Sequence, residues 1–391
     1  MNLKSFSLLA ALFFLLSAVN AQDTLNRKPG FKFTEVKNNK ATSVKNQYRS
    51  GTCWSFATVS FLESELIRLG EGEADLSEMY FVNHAYRQKA QRYLRLHGSS
   101  NFGPGGQAHD VLNIIRTHGY VTETQYPGLL PGEDNHVHGE LNNALKGFLD
   151  AVKTNSDGKL SKAWPQAFGS ILDSYMGPLP SDGSVKDGKK GFNPDDYIEI
   201  TSYSHHPFFS RINLEIPDNW SQDLYLNVSL DDLILTLTYA LENGFTVCWD
   251  GDVSDKGFSH AKGVAILPEY RPESLEGTER ARWEKMSERE RTAELYKFEG
   301  PAAERQITQE IRQEEFDNLK ATDDHLMHIT GIATDQEGKR YFITKNSWGD
   351  KGNPYQGYLY MSEPYIRLNT VAITVHKDGI PVSLRRKAGI K

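Results

Sequence analysis

The sequence predicts an α+β protein, helical in its first half and strand-rich in its second. Three observations carry this. After Cys53, the residues Phe56, Val59, Leu62 and Leu66 recur at helical spacing, Ala57 and Phe61 fill a neighbouring face, and charges come only towards Leu69. Between 133 and 178 the same period returns in Leu141, Leu145, Phe148, Leu149 and Val152. Beyond residue 245 the pattern changes to short apolar runs at 245–249 and 263–267, an alternating run at 324–333, a turn at 335–338 and a further run at 340–344.

The 391 residues, 38% of them hydrophobic, are enough for one large domain or two lobes. A formal net charge of −7 gives no basis for nucleic-acid binding. The basic and aromatic segment from Arg87 to Arg95 reads as a solvated helix face. Residues 1–21 read as a signal peptide: Lys4 is the positive start, Leu8 to Leu16 the apolar run, and Val19-Asn20-Ala21 the small-residue site before Gln22. The expectation is an exported protein, periplasmic or secreted. That run is too short to span a membrane, and no later stretch is apolar enough to do so. There are two cysteines. Cys248 lies in the apolar run Phe245-Thr246-Val247-Cys248-Trp249 and is expected to be a buried thiol. Asn219-Trp220-Ser221 and Asn227-Val228-Ser229 match the glycosylation sequon.

In chain order, residues 22–45 are polar and expected to be extended. Ser77 is a candidate cap for a helix after Leu76. Asn101 to Gln107, with Gly105 and Gly106, reads as a turn before a helix over 108–117. Residues 181–196 read as a surface connection, 197–214 and 223–227 as extended, and 231–243 as an amphipathic helix. Residues 270–320 mix Arg and Glu and read as a solvated helical insertion.

Cys53 stands where a Gly-containing loop becomes a helix. The positive end of the helix dipole and unpaired N–H groups favour thiolate there, and thiolate is the nucleophile. Six residues earlier, Gln47 offers an amide donor. A cysteine nucleophile needs a base, and the base needs a partner that fixes it. Asp323-Asp324-His325-Leu326-Met327-His328 and Asn346-Ser347-Trp348-Gly349 supply both. His325 and His328 compete as base and, in a strand, point to opposite faces. His260 is a third candidate, expected at a cleft rim.

These segments resemble the motifs of papain-like cysteine peptidases: Gln, five residues, then Cys-Trp; a Gly-Gly pair; a His opening a strand; and Asn-Ser-Trp-Gly. Ser50 stands where many members have a disulfide-forming Cys, and Thr52 where Ser or Ala is usual. His325 lies 272 residues after Cys53, a separation that two insertions account for. These departures resemble the branch of bleomycin hydrolase and aminopeptidase C. The resemblance implies a two-lobed papain-like fold within residues 22–391. A helical lobe at about 46–190 carries Gln47 and Cys53, and an antiparallel sheet lobe at about 195–391 carries His325 and Asn346. The charged insertion at about 270–320 belongs to the second lobe, and the cleft lies between the two. It implies peptide substrates, with Gly105 and Gly106 pairing to substrate backbone and Trp348 shielding the His–Asn bond. It implies no metal and no organic cofactor, and a homo-oligomer, hexameric in the branch. It implies aminopeptidase action, with the C-terminal arm after His376 gating the cleft, although Lys391 sets a cation beside the terminal carboxylate. Endopeptidase action, a catalytically silent binding protein and a transglutaminase-like acyltransferase are the alternatives.

Overall fold

The structure, a computed structural model, describes residues 30–154, 158–180, 193–270 and 277–390. The signal peptide expected at 1–21, most of the connection expected at 181–196 and Lys391 lie outside them.

Helix α1 (Cys53–Arg68) is buried over nearly its whole length, as its apolar period demands. It packs with α2 (Glu78–Arg95) and α3 (Ala108–His118), and α4 (Gly139–Lys153) and α5 (Trp164–Met176) pack on α2. Together they enclose one core containing Phe61, Phe81, Leu112, Leu145 and Phe168. Ser77 caps α2, its Oγ accepting from the Tyr80 N–H at 3.0 Å. The segment from Arg87 to Arg95 is not a plain solvated face. Lys89 is 3% exposed, its ammonium donating to the carbonyls of Gly103 and Gly105. The stem follows the apolar face of α2, and the two carbonyls satisfy the charge at its tip.

The second half forms one sheet with strand order β3-β4-β2-β11-β5-β8-β9-β10-β7-β6. Its long strand is β8 (His325–Thr334), flanked by β5 (Val247–Gly251) and β9 (Arg340–Lys345). β1 (Thr34–Asn38) pairs with the far half of β8. The remaining strands are β2 (Tyr197–Thr201), β3 (Ser210–Asn213), β4 (Leu224–Asn227), β6 (Phe258–Ser259), β7 (Val264–Ala265), β10 (Tyr358–Ser362) and β11 (Thr370–His376). The sheet is not wholly antiparallel: β2 with β4 and β7 with β10 run parallel, because the chain re-enters the sheet after crossing segments instead of tight hairpins.

Alternation along the strands sorts the two faces. Cys248 and Leu326 join the helical core, whereas Val247, Trp249, Met327 and Ile329 join a second core under α6 (Leu230–Glu242). Helix α1 lies along the first face: Thr58 meets Cys248, Ser60 meets His328, and Arg68 stacks on Phe245. The Cys53 end of α1 therefore sits at the His325 end of β8, and the Arg68 end about 22 Å away at 1.5 Å per residue.

Residues 270–320 hold α7 (Gly277–Lys285), α8 (Glu288–Leu295) and α9 (Gln309–Asp317). The third is not solvated all round: Arg312 is fully buried and donates to the carbonyls of Ser202, Arg367 and Leu368. Neither sequon is open to a glycan. Asn227 is buried, with Nδ2 on the carbonyls of Tyr203, His206 and Pro207, and Asn219 is buried against Leu214 O and Asp223 O.

The C-terminal segment departs from the expected gate. β11 delivers the chain to the Arg68 end, where His376 stacks on Phe245 at 5.4 Å. Helix α10 (Glu363–Asn369) precedes β11, and helix α11 (Val382–Lys387) follows it and buries Leu384 in the core under α6, on the sheet face away from the helical lobe, and Ala388 and Ile390 pack against the same core. Its apolar side chains find partners there, so residues 377–390 do not enter a cleft beside Cys53.

Candidate active site

Cys53 is the first residue of α1, with no acidic residue in the first helical turn. It is 9% exposed, and the backbone N–H of Leu326, the residue after His325, faces its sulfur. Both cysteines are free, and Cys248 is buried beside Thr58 Oγ1 at 3.6 Å.

His325 Nε2–H donates to Asn346 Oδ1 at 2.8 Å, which leaves Nδ1 without the proton. The Trp348 ring lies against the imidazole, with centroids 4.8 Å apart, and covers this bond. Asn346 is itself held at both ends. Its Oδ1 also accepts from the Ser347 N–H at 2.7 Å, and its Nδ2 donates to His260 Nδ1 at 3.2 Å. His260 thus belongs to the site and is more than a rim residue: it is half-buried, with its ring 5.1 Å from Trp348. A lone His before a short loop gave no sequence signal of this; the η-turn at His260–Lys262 and β7 bring it to β10 and its neighbours.

His328 is on the other face, as the strand period requires. Its Nδ1 lies 2.9 Å from Ser60 Oγ, which accepts from the Lys345 ammonium at 2.7 Å. It belongs to a polar network between the lobes. Lys45 pairs there with Asp75 (2.6 Å) and Glu78 (2.8 Å), and Glu63 accepts from Thr42 and the Leu76 N–H. Burial lowers His328 well below its ordinary range, with the Lys345 charge adding to this, so it is neutral.

Gln47 is tied across the cleft floor: its N–H donates to Ser347 O at 2.8 Å and its Oε1 accepts from Ser347 Oγ at 2.7 Å. With the oxygen occupied, the NH₂ is the end left to donate. Gly105 and Gly106 lie in the turn before α3, against Asp218 and Trp54. A Cβ on Gly106 would press on Trp54 and Asp110, and one on Gly105 would run into the Asp218 carboxylate. The turn therefore has to be glycine because neighbours approach it closely.

Burial pushes the Cys53 thiol up to about 12; the Leu326 N–H acts against this, and the charges of Asp218, Asp250 and Asp323 add to it. Burial likewise holds the His325 imidazole down at about 4, with the Asn346 bond acting against it. Each group alone resists charge. Moving one proton from the thiol to the imidazole makes two opposite charges together instead of one bare charge, at the positive end of α1.

A model of the Papain family cysteine protease matches residues 31–163, and one of the Peptidase C1-like family matches residues 277–389. Aminopeptidase W of Lactobacillus delbrueckii subsp. lactis is 20% identical over 88% of this chain and 82% of its own length. Aminopeptidase C of the same organism is 20% identical over 88% and 81%. The crystal structure of PepW from Lactobacillus rhamnosis superposes with a TM-score of 0.67 at 18% identity, covering 94% of this chain and 86% of that one, and thus shares the fold.

Proposed function

The chain belongs to the papain-like cysteine peptidases, on the branch of bleomycin hydrolase and aminopeptidase C, and from that premise we propose that it removes N-terminal residues from peptides through Cys53, His325, Asn346 and Gln47. The observation that carries this reading is the 2.8 Å bond from His325 to Asn346 under Trp348, with the Cys53 sulfur facing the next backbone N–H of the same strand.

Cys53 passes its proton to His325 Nδ1, and its sulfur attacks the carbonyl carbon of the scissile bond. The oxyanion is held by the Cys53 N–H at the head of α1 and by the Gln47 amide. His325 gives the proton to the departing amine, the C–N bond breaks, and a thioester remains. A water then yields a proton to His325 and attacks the thioester, the C–S bond breaks, and the proton returns to the sulfur. Asn346 keeps Nε2–H in place throughout, so that Nδ1 is the atom that trades protons. An epoxide thiol-protease inhibitor should label Cys53 at one equivalent and abolish hydrolysis of an aminoacyl amide. Labelling without loss of hydrolysis, or loss without labelling of Cys53, would overturn the assignment.

Endopeptidase action is the second reading, favoured by the position of residues 377–390 away from the cleft. Two further parts of the proposal rest on other grounds. Export rests on residues 1–21, and N-terminal sequencing of the mature protein should begin at Gln22. Self-assembly into a hexamer rests on the branch alone, and light scattering should give six times the chain mass.

A further inference from the structure

Four carboxylates meet on the Gly105–Gly106 side of Cys53. Asp218 comes from the loop between β3 and β4, accepts from Asn101 Nδ2 at 3.0 Å, and lies directly on Gly105. Asp323 lies two residues before β8 and accepts from Gln107 Nε2 through both oxygens, at 3.2 and 3.1 Å. Asp250 projects from β5 on the face that meets the helical lobe. Asp110 lies below, already held by Trp220 Nε1 at 2.8 Å and the Gln107 N–H at 3.0 Å. The cation that faces this group is Lys89, between the rings of Trp54 and Trp220, and two of its three donors go to the carbonyls of Gly103 and Gly105.

Asp250 is the informative member. It is 3% exposed, and no donor stands in hydrogen-bond geometry to either oxygen, the Asp323 carboxyl and the Gln107 amide being the polar groups beside it. It faces the Asp323 carboxyl, while the Gln107 amide beside both gives its contacts to Asp323. A buried carboxylate with no donor costs several kcal/mol unless something cationic or a proton meets it. In the empty cleft a proton does. Burial and the Asp323 charge hold Asp250 well above the carboxylate range, and burial with the Asp218 charge holds Asp323 up at about 7.

From this geometry, and resting on the peptidase reading above, we infer that Asp250 and Asp323, with Asp218 adding its charge, take the α-ammonium of the substrate's N-terminal residue and so restrict the cleft to peptides with a free amine. An ammonium supplies donors to the Asp250 oxygens, which have none in hydrogen-bond geometry, and to the lone pairs that Gln107 leaves free on Asp323. A single metal ion does not suit the trio. Among the described residues, the His, Cys, Asp and Glu ligand atoms that converge within 4.8 Å of one another are those of His205, His206 and Glu215. Asp218, lying on Gly105, also occupies the strip where a longer chain would continue past its first residue. Here the side chains of the cleft wall perform the selection that the C-terminal arm was expected to perform. Burial first, and then the negative charge of this group, holds the Cys53 thiol up, so a bound ammonium offsets that charge and eases thiolate formation.

The test uses the Cys53→Ala protein, which binds without turnover, and calorimetry with a dipeptide amide and its N-acetylated twin. The free-amine form should bind about tenfold or more tightly, and adding Asp218→Asn or Asp323→Asn should reduce that ratio to near one while the circular-dichroism spectrum of the folded protein is kept. Equal binding of the twins, or a ratio unchanged in both double variants, would overturn the pocket. Wild-type hydrolysis separates the two ideas. A preference in binding with no hydrolysis of either amide sinks the peptidase and leaves the pocket. Hydrolysis of both at equal rates sinks the pocket and leaves the peptidase.

Discussion

At the scale of single residues, the site turns on which histidine faces Asn346. His325 does so at 2.8 Å, whereas His328 is neutral, buried and bonded to Ser60. His325→Ala should lower kcat by about a thousandfold or more, the size of a lost general acid and base. His328→Ala should leave kcat within about tenfold and act mainly on thermal stability, because it opens a buried polar network. Steady-state kinetics on an aminoacyl amide, set beside melting curves, reads both. The reverse order would show that the other face of β8 carries the chemistry. Asn346→Ala should cost less than His325→Ala, since Trp348 still packs on the ring. His260 is a positioning residue that accepts from Asn346 Nδ2. His260→Phe keeps the ring but loses the acceptor. It should lower kcat about tenfold with little change in KM, whereas His260→Gln, which keeps an acceptor, should recover most of the rate.

At the scale of elements, β8 and α1 place the reacting groups, and the C-terminal helix lies apart from them. α1 brings its N-terminus to the start of β8 because its apolar face runs the length of the sheet, from Leu326 to Phe245. α11 is anchored on the opposite face by Leu384, which is 1% exposed. Deleting Gly389 to Lys391 should therefore leave the ratio of free-amine to N-acetyl hydrolysis unchanged within about twofold. A collapse of that ratio would return the arm to the cleft. Leu384→Ala should destabilise by about 2–5 kcal/mol, read as a lowered denaturant midpoint, with kcat unchanged.

At the scale of the whole molecule, the cleft is a buried, acidic seam between two lobes, and this sets its response to pH. The groups that face Asp323 are Asp218, Asp250 and Asp324, with the Gln107 amide donating to it. Asp323 is held up at about 7, so the pocket gains negative charge as pH rises through 7. The substrate's α-amine loses its charge above about 8. KM for a free-amine substrate should fall from pH 6 to 7.5 and rise again beyond about 8.5, while Asp323→Asn flattens the acid limb. The linkage to stability has the opposite sense. A carboxyl raised in the fold binds a proton there that the unfolded chain has released, so its contribution is full below about pH 4 and is lost as pH rises towards 7. Asp323→Asn should raise the melting temperature at pH 8 and not at pH 4.

How much of this was legible in the sequence follows from how local each feature is. Cys53 with Gln47, the strand parity of His325 and His328, and Asn346 with Trp348 are short segments whose chemistry shows within a few residues. The helical period of 53–69 and the alternation of 324–333 gave the elements that carry them. Asp218, Asp250 and His260 carry no such local sign. They reach the cleft from a loop, a buried strand and a short turn that only the tertiary fold brings together. The two sequons and the C-terminal arm misled for the same reason. Asn227 is consumed by three backbone carbonyls, and Leu384 prefers an apolar core, facts set by packing and invisible to a local motif.

The most direct test is the wild-type kcat/KM on an aminoacyl amide and on its N-acetylated twin, at pH 7.5 and with the mature protein. A Cys-His-Asn site beside an ammonium-binding acid pocket should favour the free amine by about a hundredfold, with all activity lost in Cys53→Ala. Equal rates on the two substrates, or activity that survives Cys53→Ala, would contradict it.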